Sequence, residues 1–289
     1  IPNRESEGYG LNLQALEELS ARGAGLVITV DCGTTALEVA AARPAGMRLL
    51  ITDHHLPHAL PDGQGFELAG ADALVNPQRP GDGYPFKGLA GVGVAYKLVQ
   101  ALEAARLMPL GTSAQQLPLV ALGTVADMMP LLGENRSLVR QGLARWVEAA
   151  PLGLLALARR AGIEGNPSAS DLGFSLGPRI NAAGRMEDAK LALDCCLAAS
   201  PAEAARAAAG LEGLNQSRRR SLADALERAR PMVERLPTRP PPSSSAMRRS
   251  RPEWWVWWPG GWPRSSSGRA SSSHGLEWSG AAPPGALPG

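Results

Sequence analysis

Leu49-Leu50-Ile51-Thr52-Asp53-His54-His55 decides the fold. An apolar run ends on an acidic residue followed by two histidines. Upstream, Leu26-Val27-Ile28-Thr29-Val30 ends the same way, on Asp31. Each run reads as a short buried strand. Thr34 to Ala42, rich in Ala, Leu, Val and Glu, reads as the helix between them. Strand, helix and strand in that order form a βαβ unit with parallel strands, the signature of an α/β fold. Ligands of such sheets sit outside the carboxyl ends of the strands. Asp31, Asp53, His54 and His55 converge there, and carboxylate oxygen with imidazole nitrogen suits a divalent metal such as manganese.

A single Asp at a strand end is commonly a turn residue, and a lone His commonly a partnered one. Here three of the four histidines fall within five residues, at His54, His55 and His58, which favours metal chemistry. His58 fits the pattern less well and reads as a loop residue.

The 289 residues allow one large or two ordinary domains. A net charge of +2 does not argue for nucleic acid by itself. The three cysteines, Cys32, Cys195 and Cys196, make no disulfide framework, and a reducing, cytoplasmic compartment is expected. No apolar stretch approaches the ~18 residues that span a bilayer. The polar start carries no signal-peptide pattern. It also lacks an initiator Met, so a fragment is expected.

Residues 1–150 are expected to form the α/β core. Within it, Gly91-Val92-Gly93-Val94-Ala95 opens a helix to about Ala105, and helices follow over Leu117 to Met129 and Asn135 to Glu148. Residues 151–200 read as short helices with Gly and Pro breaks. Residues 201–236 read as a long connector helix, because Ser200-Pro201-Ala202-Glu203 is a helix start: Ser cap, Pro in the first turn, Glu three residues after the cap. Residues 237–289 change character. Six of the seven Trp lie after residue 250 among Pro, Ser and Gly, and this tail is expected to be disordered. Read two bases along, its Trp-rich stretch can encode an apolar run, so a frameshift between residues 235 and 253 is expected.

Ile51-Thr52-Asp53-His54-His55 resembles the signature of the DHH phosphoesterases. Other segments resemble, within that superfamily, the RecJ single-stranded-DNA exonucleases. They are Ile1-Pro2-Asn3-Arg4 with Gly8-Tyr9-Gly10-Leu11, Val30-Asp31-Cys32-Gly33, and Gly88-Leu89-Ala90-Gly91-Val92-Gly93. Leu122-Gly123-Thr124-Val125-Ala126-Asp127-Met128-Met129-Pro130 and Gly177-Pro178-Arg179-Ile180-Asn181-Ala182-Ala183-Gly184-Arg185 complete the set. The last is the most specific to RecJ. Together they cover residues 1 to about 235.

The resemblance implies a parallel-sheet DHH phosphoesterase domain with a helical C-terminal part. It implies 5′-to-3′ hydrolysis of single-stranded DNA in recombination and repair, with Mn2+ or Mg2+, two ions in the complete enzyme, and single-strand-binding protein as a partner. By it, Asp31, His54 and Asp127 are metal ligands, Asp53 ligates or orients, and His55 acts beside the metal in catalysis. Arg179, Asn181 and Arg185 are expected to hold substrate phosphate across a Gly/Asn/Ala-rich turn, the arginines as guanidinium forks. The family's earlier Asp-x-Asp-x-Asp-Gly motif and its Gly-Gly-His domain are absent from these residues, so weak or no nuclease activity is expected of them alone. The alternatives are a small-molecule or oligonucleotide phosphoesterase of the same superfamily and an inactive nucleic-acid-binding remnant.

Overall fold

The computed structural model describes residues 1, 8, 10–60, 65–186 and 189–234, without the side chains of 185, 186 and 232–234. The expected disordered tail, residues 237–289, lies outside the described residues.

Helix α1 (Leu13–Ala21) starts where the Asn12 side chain accepts the Ala15 N–H at 2.7 Å, an N-cap. Strand β1 (Leu26–Val30), helix α2 (Leu37–Ala41) and strand β2 (Arg48–Thr52) then form the anticipated βαβ unit. β1 and β2 are parallel, with Leu26 opposite Arg48 and Val30 opposite Thr52. The two-residue strands β3 (His58–Ala59) and β4 (Phe66–Glu67) pair antiparallel, so His58 belongs to a strand rather than a loop. Strand β5 (Ala73–Val75) adds parallel to β2, giving the order β1-β2-β5.

β2 is central, and Leu49 and Ile51 are fully buried against Ala40 and Ala69. β1 departs from expectation. Its apolar run predicts a buried strand, yet Leu26, Ile28 and Val30 are 48, 46 and 53% exposed. The reason is position: β1 is the outer strand of this sheet among the described residues, and alternate side chains point to opposite faces.

Helix α3 (Gly91–Ala104) follows the sheet and packs on α4 (Thr112–Ala126) and, through α4, α5 (Gly133–Ala144). α4 begins and ends earlier than the residues 117–129 anticipated, because Pro118 is accommodated inside it and Asp127 caps it. Gly142 lets α5 reach the α4 backbone; a Cβ there would collide with the carbonyl oxygen of Leu117. The remaining helices are α6 (Trp146–Ala149), α7 (Leu152–Arg160), α8 (Ala169–Asp171), a π-helical turn (Leu172–Leu176), α9 (Gly177–Met186), α10 (Lys190–Leu197) and α11 (Pro201–Glu234). Their core joins Trp146, Leu154, Leu157, Leu172, Leu176, Cys195 and Leu211. α11 lies on α7, α9 and α10 through its first half and is exposed from residue 219 to 231. No helix among the described residues is long and apolar enough to cross a membrane.

Candidate metal centre

β1 and β2 end side by side, so the residues after them meet at one edge. Asp31 follows β1 with φ 65°, a left-handed conformation uncommon outside glycine. It turns the side chain toward the N-terminus of α3. Gly91 opens that helix, and a Cβ at 91 would lie within 2.6 Å of the Asp31 Cβ and collide with its Oδ1. The glycine is the space that Asp31 occupies.

After β2 come Asp53, His54 and His55. Asp53 is buried and accepts four hydrogen bonds. Its Oδ2 takes the Thr34 N–H at 2.9 Å, and its Oδ1 takes the His54 N–H at 2.7 Å, the His55 N–H at 3.2 Å and the His55 ring Nδ1 at 2.7 Å. Burial alone would raise the Asp53 pKa; the bonds from Thr34 and His55 outweigh it and hold the carboxyl below its usual range. A carboxylate only accepts, so Nδ1 of His55 carries the proton and Nε2 is left with the lone pair when the ring is neutral. Three of the four bonds fall on Oδ1, so Asp53 orients His55 and the following backbone, while Oδ2 carries only the Thr34 bond.

His54 is 8% exposed, and its Nε2 points between two acids. Asp31 Oδ1 is 3.0 Å away and Asp127 Oδ2 is 3.5 Å away. Neither His54 Nε2 nor Asp31 Oδ1 has an aligned hydrogen-bond partner, although both atoms are buried. The Asp31 carboxylate raises the His54 pKa against the effect of burial, and Asp127 adds to the rise. Asp127 caps the C-terminus of α4, with its N–H on the Gly123 carbonyl at 2.9 Å, and the next residue, Met128, has φ 55°. Burial raises the Asp127 pKa, and the Asp31 charge adds to that rise against His54 and His55.

A divalent cation fits this arrangement. Ligand atoms of Asp31, His54 and His55 lie within 4.8 Å of one another, and two of the donors in the site are buried without a hydrogen-bond partner. Three carboxylates crowd two imidazoles, an excess of negative charge that a cation offsets.

Residues 1–124 match the DHH family, N-terminal domain. Those residues are thus similar to a DHH N-terminal domain. The chain is 41% identical over 237 residues to the single-stranded-DNA-specific exonuclease RecJ of Bacillus subtilis (strain 168), covering 81% of the chain and 28% of that protein. It is 39% identical over 253 residues to RecJ of Escherichia coli (strain K12), covering 80% and 42%. The chain thus spans less than half the length of these relatives. Among solved structures it is similar to exonuclease RecJ bound to manganese, with a TM-score of 0.67 and 36% identity over 79% of this chain and 55% of that one. RecJ from Thermus thermophilus in complex with Mn2+ gives a TM-score of 0.64 and 34% identity, over 75% of this chain and 31% of that one.

The Arg179–Arg185 segment is corrected by the structure. It is helix α9, not a turn, so its backbone N–H groups are largely committed within the helix rather than open to an anion. Arg179 is mostly buried. Its Nε meets Glu212 Oε2 of α11 at 2.5 Å, and its NH1 donates to the Ser175 carbonyl at 2.8 Å. Asn181 is half-buried on the same helix. The Arg185 side chain lies outside the described residues.

Sequence reasoning missed three contributors. Asn76, fully buried after β5, donates from its amide to Thr34 Oγ1 at 2.9 Å and to the His55 carbonyl at 2.8 Å. It ties a third strand end to the other two. Its signal is the run Ala73-Leu74-Val75 ending on a polar residue, but three residues are too few to show a period. In the sequence, Thr34 reads only as the start of a helix, and Gly91 only as the opening of another.

Proposed function

We propose that this chain carries the metal site of a 5′-to-3′ exonuclease on single-stranded DNA, serving recombination and repair, with Mn2+ or Mg2+ as cofactor. The observation that carries the reading is the buried contact of His54 Nε2 with Asp31 Oδ1 at 3.0 Å, with Asp127 Oδ2 3.5 Å from the same nitrogen at the strand ends. The RecJ names of the relatives supply the substrate, single-stranded DNA, and the sequence resemblance supplies the 5′-to-3′ direction.

Asp31, His54 and Asp127 hold the cation in this reading, and His55 presents Nε2 toward it. A bound divalent ion supplies Lewis-acid stabilisation of a phosphodiester and lowers the pKa of water. The chain's residues do the rest. Asp53 fixes the His55 tautomer, so that Nε2 accepts or returns a proton at the reacting phosphate. Asn76 and Thr34 hold the two strand-end loops in register, which fixes the distances between the donors. Asn181 contacts substrate phosphate from α9, which Arg179 anchors on Glu212, and Arg185 is assigned the same phosphate-binding role from the sequence alone.

Residues 1–150 are proposed as the catalytic part, 151–200 as the substrate-side helices and 201–236 as the connector. The three free cysteines suit a cytoplasmic setting, and single-strand-binding protein is the partner proposed to deliver the strand.

The test is Mn2+ titration followed by electron paramagnetic resonance, with His54→Ala as control, alongside release of mononucleotides from a 5′-phosphorylated single strand. Saturable Mn2+ binding lost in His54→Ala is expected, with release from single strand weak at most and none from duplex. Hydrolysis of pyrophosphate or dinucleotides that long single-stranded DNA fails to inhibit would favour a small-molecule phosphoesterase instead.

A further inference from the structure

Two local departures from regular geometry flank Asp127, and each pushes an apolar side chain outward. Met128 immediately follows Asp127, takes φ 55° and is 69% exposed. Left-handed backbone at a long unbranched residue is costly and persists where the surroundings enforce it. The second departure is the π-helical turn Leu172–Leu176. It buries Leu172 and Leu176 and leaves Phe174 75% exposed. The turn is seated on the last turn of α4: a Cβ on Gly173 would meet Val125 at 3.3 Å, and one on Gly177 would meet Ala126 at 3.4 Å. The turn that carries Phe174 therefore adjoins α4 at Val125 and Ala126, the two residues that precede Asp127 and Met128. Single π-helical turns cost regularity and are frequent at functional sites.

Phe174 is exposed on a turn that packs against the end of α4, the helix that Asp127 caps, and an exposed aromatic ring suits an apolar occupant. A phosphodiester held near Asp127 brings its own: the attached base lies within one nucleotide of the phosphate. Unpaired bases stack on aromatic side chains without regard to sequence. In duplex, that face is already covered by the neighbouring pair.

We infer that Phe174, with Met128, forms an apolar platform on which an unpaired nucleobase of the substrate stacks beside the metal centre, selecting single strands over duplex. The inference rests on the nuclease reading above and adds to it the residues that recognise the base.

The test compares a 5′-phosphorylated thymidine decamer with a decamer of the same backbone carrying abasic sites throughout, with Mn2+ present and the full chain used. The ordinary strand is expected to bind more tightly than the abasic one by on the order of tenfold or more. Phe174→Ala combined with Met128→Ser brings that ratio close to one, and Phe174→Trp keeps or raises it. The positions are exposed, and thermal melting of each variant reports its fold. An unchanged ratio in the double variant, or a ratio that falls in Phe174→Trp, overturns the platform. If the wild type binds and hydrolyses both strands equally, the nuclease reading stands and the platform falls. If it binds neither strand, the nuclease reading fails and the platform falls with it.

Discussion

At the strand ends, Asp53 accepts four hydrogen bonds and Asp31 and Met128 sit at positive φ, while around Trp146 the helices close over the apolar side chains of Leu154, Leu157, Leu172, Leu176 and Leu211. Both regions use glycine for close approach, to different ends. Gly153 lets α7 meet the Cys195 backbone of α10, whereas Gly91 makes room for a carboxylate. In the bundle, close packing yields stability. At the edge, the same device holds a carboxylate against an imidazole, with Asp31 Oδ1 3.0 Å from His54 Nε2. The difference teaches that stability and metal binding are stored in separate places, so substitutions should separate them.

The largest effect expected is on the bundle. Trp146→Ala removes a fully buried side chain and costs about 3–5 kcal/mol, read as a lowered denaturation midpoint. The same substitution type then divides the regions. Gly153→Ala forces backbone to move and costs about 1–3 kcal/mol in unfolding. Gly91→Ala displaces Asp31 and weakens Mn2+ by about 10–100-fold, as for other groups that position metal ligands, with a smaller change in melting temperature than Gly153→Ala. Equal losses of stability in the two variants would break the comparison. Asn76→Ala sits between them: it strips two buried hydrogen bonds and costs about 1–3 kcal/mol, and it also weakens Mn2+ by loosening His55. Isothermal titration of Mn2+ on the folded variant checks the second half. The smallest effect belongs to the exposed Lys190–Asp194 pair of α10; Asp194→Ala costs about 0.3–0.5 kcal/mol in chemical denaturation and leaves Mn2+ affinity unaltered.

Legibility follows the same divide. β1, β2 and the convergence of Asp31 with Asp53-His54-His55 are readable because apolar runs end on acids and parallel strands end at one edge. The start of α11 is readable from its capping residues. β5 is not, since three residues carry no period, and Asn76 is lost with it. The π-helical turn has no sequence signature, and Gly177 to Arg185 reads as a turn by its Gly, Asn and Pro content. Packing of Leu172, Leu176 and Ala183 in the bundle core overrides that composition. The Gly91 contact is invisible to any local pattern, because Asp31 lies sixty residues away in the chain. Asp31, Asp53, His54 and Asp127 are legible as candidates, but only geometry separates Asp53, held by four hydrogen bonds, from His54, whose Nε2 faces two acids.

α11 has a mechanical consequence. Its 34 residues make a rod of about 51 Å, of which the bundle grips only the first half. The stretch beyond Asn215 extends some 19 residues, about 28 Å, and its residues 219 to 231 are exposed among the described residues, as on a cantilever. A tilt of about 10° at its root sweeps the tip through about 5 Å, roughly the pitch of one helical turn. Glu212, which grips Arg179, lies at that root, so α11 is geared directly to the helix that bears Asn181 and Arg185.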